Sequence, residues 1–399
     1  MIQRGNTWLV LSITLSVQAM ASMATLAVPA IAPAMAEALG VSPSLIGVYV
    51  PIVYLGAITS SLISGPLVLR WGAIRISQIG LVICACGMAL QALSHSVPAS
   101  ALGALLAGLG YGPITPAASD LLAKSTPPHQ RAFIFSLKQT GVPVGGMLAG
   151  FMLPAIVVAG GTSAAFWAVA AGCMAFAFIA QPLRQSLDSD RRSDTTINVA
   201  HLAGPVQVVW RDTALARLSL FALVFCIVQT SMTSYLVTYL HLSLGYTLLA
   251  AGAALSIAQM GAIVGRLAWG WIADRWLDAR RMLAILALVM ALCALLLALL
   301  QADAPRALQL ALMVTFGASA IGWNGVYIAE VARLAPPGMA STATGGSMAI
   351  AFIGVLVGPL LFGALASVAD SLRVAFMALA VPAAICAWQL ARRPATAGA

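Results

Sequence analysis

Long apolar segments separated by short polar connections make up most of this chain. Each segment has 19 residues or more, which is enough for an α-helix to cross a hydrocarbon core about 30 Å thick. The pattern therefore predicts an all-α membrane protein with twelve transmembrane helices, at residues 8–31, 45–69, 76–94, 99–123, 132–156, 164–183, 217–240, 247–273, 282–301, 307–332, 341–366 and 373–391.

Two polar connections repeat each other at a distance of 205 positions. A glycine-to-arginine stretch follows the second predicted helix and another follows the eighth. A second echo joins helices four and ten, where an acid, a cation and a Pro-Pro pair occur in the same order. These repeats predict an internal duplication, and their residues are Gly65, Arg70, Gly72 and Arg75, then Gly270, Asp274 and Arg275, with Asp120 and Glu330 as the two acids.

The longest polar stretch divides the twelve helices into six and six. It runs from Arg184 to Thr213 and is rich in Ser, Asp and Arg. We therefore expect two pseudo-symmetric six-helix bundles, at residues 1–183 and 217–399, joined by a cytoplasmic linker at residues 184–216.

Composition and charge support this interpretation. The chain is 61% hydrophobic and 8% charged, whereas a soluble domain has about 25% charged residues. Sixteen of its twenty Lys and Arg lie at the termini or in even-numbered connections. This bias predicts that both termini are cytoplasmic, and it indicates the bacterial inner membrane. The net charge of +9 is therefore attributed to the position of the chain in a lipid bilayer and not to nucleic-acid binding.

The sequence contains no motif of an enzyme or of a cofactor site. It has no phosphate loop, no zinc-ligand spacing and no nucleophile elbow. The six cysteines fall inside apolar segments, where they are expected to act as packing residues. We therefore expect no catalysis, no cofactor and no metal, and a protein that is a monomer.

With these features the chain resembles the major facilitator superfamily of secondary transporters over essentially its whole length. The family carries a loop motif Gly-x-x-x-Asp-Arg-x-Gly-x-Arg/Lys between helices two and three, often repeated between helices eight and nine. The first copy here keeps Gly65, Arg70 and Gly72, displaces Arg75 and has Leu69 where the family has aspartate. The resemblance implies alternating access by rocking of two bundles.

Within the family, helix eight is similar to the monocarboxylate and oxalate–formate transporters. In those proteins an arginine just before the loop motif binds a substrate carboxylate, and the resemblance gives that role to Arg266. The proton/drug antiporters are a weaker match, because Ala104 stands where they carry an arginine and residues 141–146 match their helix-five motif only in part.

Two cations are predicted to lie within the membrane. Arg266 is eight residues before Asp274, about 12 Å inside a helix end, and Lys138 is seven residues after Arg131, about 10 Å inside. Because burial of a cation costs at least about 2.5–3.5 kcal/mol, a function is expected. An anion held between the two cations would link the bundles. The alternative is internal charge pairing, with Asp120 nearest to Lys138.

Other polar residues of the membrane segments are candidates of two kinds. Asp120 and Glu330 lie near helix ends. They are expected to pair with arginines of the loop motifs and so to hold the cytoplasmic gate closed. In the alternative interpretation, Glu330 carries a proton. Gln18, Gln229, Tyr235 and Asn324 are candidate substrate-binding residues, or they satisfy a neighbouring helix.

The leading hypothesis is a secondary active transporter of a small organic anion, a carboxylate, driven by proton symport or by anion exchange. The first alternative is proton-coupled efflux of drugs or metabolites, which predicts an aromatic, weakly charged cavity. A sensor built on a transporter fold is the second alternative, and it predicts no substrate flux.

Overall fold

The computed structural model describes residues 7–42, 45–93, 96–127, 131–189, 204–301, 303–336 and 340–392. All regular secondary structure within these ranges is helical. Backbone contacts group the chain into two compact units. The first comprises Met1–His201 and Thr247–Ser256, and the second comprises Leu202–Tyr246 and Ile257–Ala399.

Ten α-helices are found among the described residues up to 189, together with a short 3₁₀ helix at Gln181–Leu183. Their bounds are α1 (Thr7–Ala30), α2 (Ala32–Leu39), α3 (Ile46–Leu62), α4 (Ser64–Trp71), α5 (Ala73–Leu93), α6 (Val97–Tyr111), α7 (Ile114–Ser125), α8 (Arg131–Gln139), α9 (Gly141–Ile179) and α10 (Arg184–Leu187).

Eight helices follow from residue 204 onward. They are α11 (Gly204–Arg211), α12 (Thr213–Leu244), α13 (Leu248–Arg275), α14 (Ala279–Leu299), α15 (Arg306–Ala320), α16 (Asn324–Leu334), α17 (Ala340–Val368) and α18 (Leu372–Ala391).

These helices are consistent with the twelve predicted spans. Ten helical segments of the described chain are long and apolar enough to cross a membrane, and Gly47–Ser61 forms a shorter apolar helix. One of the ten, Leu137–Leu187, holds both the fifth and the sixth predicted spans. Inside it Gly161 has φ +81, which breaks the helix at the predicted connection. The predicted all-α membrane protein is therefore confirmed.

Four spans predicted as single helices are each divided in two. The fifth breaks at Thr140 between α8 and α9. The second breaks at Ile63 between α3 and α4, and the fourth breaks at Gly112-Pro113 between α6 and α7. Pro113 has no N–H to continue the hydrogen bonding of α6. The tenth breaks at Ile321–Trp323 between α15 and α16, at the position that the repeat relates to the break in the fourth. The breaks in the fourth and tenth spans thus follow the duplication, whereas the break at Ile63 has no counterpart in α13, which is continuous from Leu248 to Arg275.

The same glycine crossing packs two helices in each unit. In the first unit, a Cβ added to Gly108 of α6 would overlap the carbonyl oxygen of Val53 in α3. In the second unit, a Cβ added to Gly317 of α15 would overlap the carbonyl oxygen of Ala258 in α13. Val53 and Ala258 are 205 positions apart, which is the offset of the loop repeat. The duplication seen in the loops therefore extends to the helix contacts.

Candidate functional site

Lys138 lies in a buried polar cluster of the first unit. Its side chain is 2% exposed, and its Nζ donates to Gln18 Oε1 at 2.9 Å and to Thr115 Oγ1 at 3.3 Å. Thr115 Oγ1 in turn donates to Gln18 Oε1 at 2.9 Å. Gln18 also donates to Ser22 Oγ, at 3.4 Å. These contacts hold an ammonium group with neutral oxygens from two helices, α1 and α7.

Local backbone features bring together α1, α7 and α8, which carry Gln18, Thr115 and Lys138. Gly141 begins α9 directly after α8 ends, and a Cβ there would lie 2.9 Å from Leu15 O and 3.0 Å from Gln18 Cβ. The missing side chain lets this segment approach α1 closely, one turn after Lys138. Thr115 stands in the first turn of α7, immediately after the break at Pro113. Glycine and proline positions thus set the cluster's geometry.

Arg266 lies in the second unit, half-buried on α13. A Cβ at Gly322 would approach the Arg266 backbone nitrogen to 3.2 Å, so α13 contacts the break between α15 and α16 at this residue. One turn later, Trp269 Nε1 donates to Ala318 O at 2.7 Å. Seven residues separate Arg266 from Ala273, where the apolar span ends, so its Cα lies about 10 Å inside that end.

A second polar group of the same unit contains two predicted site residues. Gln229 Oε1 accepts from Trp323 Nε1 at 3.0 Å, and Asn324 Nδ2 donates to Ile321 O at 3.3 Å. Trp323 packs edge-to-face on Phe225 and on Tyr327, at 5.2 Å between ring centroids in both cases. Gln229 therefore orients a fully buried tryptophan.

Tyr235 contributes to packing. Its side chain is fully buried and stacks on Phe362 at 4.5 Å between centroids, and its hydroxyl donates to Pro359 O at 3.3 Å. These contacts to α17 match the interpretation in which the residue satisfies a neighbouring helix.

In the first loop motif, a carboxylate comes from a distant part of the chain. Leu69 stands where the family has aspartate, and Asp188 Oδ1 and Oδ2 accept from the backbone N–H of Ile74 at 2.9 Å and of Arg75 at 3.0 Å. A Cβ at Gly72, whose φ is +93, would overlap the Asp188 carboxylate. Asp188 thus caps α5, while the Arg70 and Arg75 side chains are exposed.

The second loop motif is arranged differently. Arg275 is exposed and stacks over the Trp271 ring at 4.9 Å, and Gly270 has open space around its Cα. Asp278 Oδ1 caps α14 by accepting from Arg281 N at 2.9 Å. The surroundings of Gly65 and the side chain of Asp274 lie outside the described part of the chain.

The two predicted gate acids bind cations of their own helices. Asp120 accepts from Lys124 at 2.6 Å, and Glu330 accepts from Arg333 Nε at 2.7 Å and Nη2 at 2.6 Å. We predicted that arginines of the loop motifs pair with Asp120 and Glu330. In the structure these contacts come from Lys124 and Arg333 instead. A cation three or four residues after an acid lies on the same helix face, which favours the local pair.

Removal of the Asp188 cap is expected to destabilise the first unit. We expect Asp188→Ala to lower the melting temperature by a few degrees, since a lost cap costs about 0.5–2 kcal/mol. Asp188→Asn keeps one acceptor oxygen and should lose less. Thermal melting of the purified variants measures both effects, and equal melting of wild type and Asp188→Ala would refute the capping role.

The same carboxyl predicts a pH dependence. Burial raises the pKa of Asp188 above its ordinary value, although the N–H groups of Ile74 and Arg75 and the charge of Arg184 oppose the rise. The folded state therefore retains a proton that the unfolded state releases, and this stabilisation is lost as the pH rises through the raised pKa. Relative to Asp188→Asn, wild type should lose melting temperature from about pH 4 upward. A constant difference would contradict this.

Several residues of these clusters were missed by sequence reasoning. Thr115, Trp323 and Asp188 were not singled out, because their partners lie 97, 94 and 114 positions away. A signal was present for Thr115, which follows a Gly-Pro break, and for Asp188, the first acid after the sixth span. The described residues contain no group of three or more His, Cys, Asp or Glu placed to hold a metal.

Comparison with known proteins gives one family. The model of the Major Facilitator Superfamily matches residues 12–346. An uncharacterised MFS-type transporter of Mycobacterium tuberculosis is 24% identical over 92% of this chain and 80% of its own length. The benzoate transport protein of Acinetobacter baylyi is 21% identical, over 78% of this chain and 72% of its own.

Solved structures show the same fold. A bacterial homologue of the human lysosomal transporter Spinster, crystallised in an inward-facing and occupied conformation, has a TM-score of 0.73 at 17% identity and covers 96% of this chain and 95% of its own. Together with the membrane-spanning helices and the repeated crossings, the family match shows that this chain is a multi-pass membrane protein belonging to the Major Facilitator Superfamily.

Proposed function

We propose that this transporter moves a small organic anion, a carboxylate, by alternating access, coupled to proton symport or to exchange with another anion. The site residues proposed to bind it are Lys138 and Gln18 in the first unit, and Arg266, Gln229 and Asn324 in the second. The distribution of Lys and Arg supports cytoplasmic termini in the bacterial inner membrane. We further propose that the protein is a monomer.

The buried ammonium group of Lys138 carries the proposal. Gln18 and Thr115 offer neutral oxygens, and their dipoles orient the Nζ within the buried cluster. In a medium of low dielectric such a charge attracts an anion far more strongly than it does in water. A lysine also remains mobile, because its four-carbon stem lets the charge follow a ligand.

Arg266 adds a second argument. A guanidinium holds a carboxylate with two parallel hydrogen bonds, which is a geometry that a lysine does not offer. It is half-buried within an apolar span, where a charge is expensive to keep. The name of the Acinetobacter baylyi relative, a benzoate transport protein, agrees with a carboxylate substrate.

A ligand screen tests this function. Purified protein is melted with benzoate, oxalate and other small carboxylates, and with a neutral amide of the same shape. A ligand at 100 times its dissociation constant stabilises by about 2.7 kcal/mol, so we expect a bound carboxylate to raise the melting temperature by about 3–8 °C. The amide should have no effect.

Arg266→Ala is the decisive variant, with Arg275→Ala as its matched control. Arg275 lies on the same helix but is exposed at its end. We expect the carboxylate response to be lost in Arg266→Ala and retained in Arg275→Ala. If no carboxylate stabilises the wild type, the anion proposal fails. If lipophilic cations stabilise it instead, efflux of drugs becomes the better-supported function.

A further inference from the structure

Arg280 joins the start of α14 to the end of α18. Its Nε donates to Leu390 O at 3.0 Å, and its Nη2 donates to Arg392 O at 2.8 Å and to Gln389 O at 3.5 Å. These carbonyls lie at the C-terminal end of α18, where the helix itself offers them no N–H partner. The three hydrogen bonds therefore hold the Arg280 guanidinium in one place, at the boundary between the two helices.

A second guanidinium lies at the same boundary. The Arg392 Cζ atom is 3.4 Å from the centre of the Trp388 ring, which is a cation–π contact. Trp388 is 54% exposed, and Arg392 is exposed as well. Because Arg280 bonds to the Arg392 carbonyl, the two arginines are neighbours, and the protein itself orders each side chain. We refer to Arg280 and Arg392 as the guanidinium pair.

Two acids of the same unit are paired with other cations. Within the described part of the chain, Asp278 binds Arg281 at 3.1 Å and Glu330 binds Arg333 at 2.6 Å. Backbone carbonyls and an indole ring carry no formal charge, so the contacts that order the guanidinium pair leave both of its positive charges in place. Two like charges so near each other repel, and an anion bound by both would relieve the repulsion.

Beside the guanidinium pair, each helix presents an apolar stripe to the outside of the unit. On α14 the stripe begins one turn after Arg281 and runs the length of the helix. Its members are 40–55% exposed and recur every three or four residues, at Ile285, Leu288, Leu292, Leu295 and Leu299. On α18, Val381 and Ile385 are 60% and 49% exposed, and the same spacing continues through Trp388 to Arg392. The charged and apolar groups therefore share one face of α18.

We propose that the guanidinium pair binds the phosphate of an acidic phospholipid from the surrounding leaflet, and that the apolar stripes of α14 and α18 receive its acyl chains. A guanidinium binds a phosphate through two parallel hydrogen bonds, and a tryptophan suits the depth of the headgroups. Basic pockets between helices at the cytoplasmic side are suited to acidic headgroups, because two fixed cations match one phosphate and its negative charge. This lipid site does not depend on the identity of the substrate.

Native mass spectrometry tests the headgroup preference. The full-length protein is purified in an uncharged detergent and mixed with phosphatidylglycerol or with phosphatidylcholine of the same acyl chains. Both lipids carry a phosphate, but the choline group compensates its charge in the second. We expect phosphatidylglycerol to remain bound at about tenfold lower lipid concentration than phosphatidylcholine. Equal retention of the two lipids would overturn the proposal.

Arg392→Gln is the variant that locates the site. Its loss leaves the hydrogen bonds of Arg280 in place, because these use the Arg392 backbone, so the protein should melt like wild type in phosphatidylcholine. Arg275→Gln is the matched control, since Arg275 is exposed at the end of α13 and stacks over Trp271 at 4.9 Å. We expect phosphatidylglycerol to bind about tenfold more weakly to Arg392→Gln and unchanged to Arg275→Gln. Equal phosphatidylglycerol binding by the two variants would refute the site.

A soluble headgroup distinguishes a lipid from a free anion. Wild-type protein in the same detergent is melted with phosphatidylglycerol and, separately, with millimolar glycerol phosphate, which has the phosphate but no acyl chain. We expect the lipid to raise the melting temperature by a few degrees and glycerol phosphate to leave it unchanged, because the apolar stripes contribute to binding. If glycerol phosphate stabilises the protein as much as the lipid does, the guanidinium pair binds free anions and the lipid assignment is wrong.

Discussion

Lys138→Met should abolish high-affinity carboxylate binding without unfolding the protein. A hydrogen bond to a charged group contributes about 1.5–3 kcal/mol, so the dissociation constant for benzoate should rise by about 10- to 150-fold. Methionine fills most of the volume of the lysine stem. Gln18 and Thr115 keep their mutual hydrogen bond when the amine is gone. Titration calorimetry of the purified variant measures the change.

Lys124→Met is the matched control, because the chain has only one other lysine. Lys124 lies in the same unit, but it is partly exposed and paired with Asp120 at 2.6 Å. We expect its removal to leave benzoate affinity within about twofold, since surface pairs of this type contribute little. Equal affinities of Lys138→Met and Lys124→Met, with both proteins folded, would rule out Lys138 as the anion-binding group.

Gly317→Leu and Gly108→Leu should each prevent stable folding. The added side chain meets the backbone carbonyl of Ala258 in one unit and of Val53 in the other, and no change of rotamer moves a carbonyl. Even Gly317→Ala is expected to cost about 1–3 kcal/mol through overpacking and to lower the melting temperature by about 3–10 °C. Fluorescence-detected gel filtration and thermal melting report both effects.

Gly325→Ala provides the control for this series. Gly325 lies in α16, and a Cβ there meets no atom within 4 Å. Because alanine favours the helix over glycine, this variant should melt at or slightly above the wild-type temperature. The crossings would lose their structural role if Gly317→Ala melted with Gly325→Ala.

The glycine crossings also show where the two units differ. The repeat preserves the helix contacts, with 205 positions between Val53 and Ala258 and 209 between Gly108 and Gly317. Lys138 and Arg266 have no counterpart 205 positions away. Subtracting the offset from Arg266 gives Ser61, and adding it to Lys138 gives Ala343. The duplication thus explains the shared helix contacts, whereas the two cations belong to one unit each.

The sequence by itself determined the fold class, and its count of twelve spans agrees with the helices of the described chain. These follow from apolar length, because a bilayer requires about 20 apolar residues per helix and satisfies no backbone group outside one. The distances of Lys138 and Arg266 from their helix ends could also be predicted, because they depend only on residue counts along a helix. It could not resolve the breaks at Ile63 and Ile321, since neither position carries a proline.

Only the tertiary structure decided which side chains meet. In the structure Lys138 donates to Gln18 and Thr115. Asp188 caps the helix after the first loop motif, and the Tyr235 hydroxyl donates to Pro359 O. These contacts join residues 23 to 124 positions apart. Helical periodicity orients a side chain about its own axis, but it carries no information on which other helix lies opposite, because that depends on the packing of all helices at once.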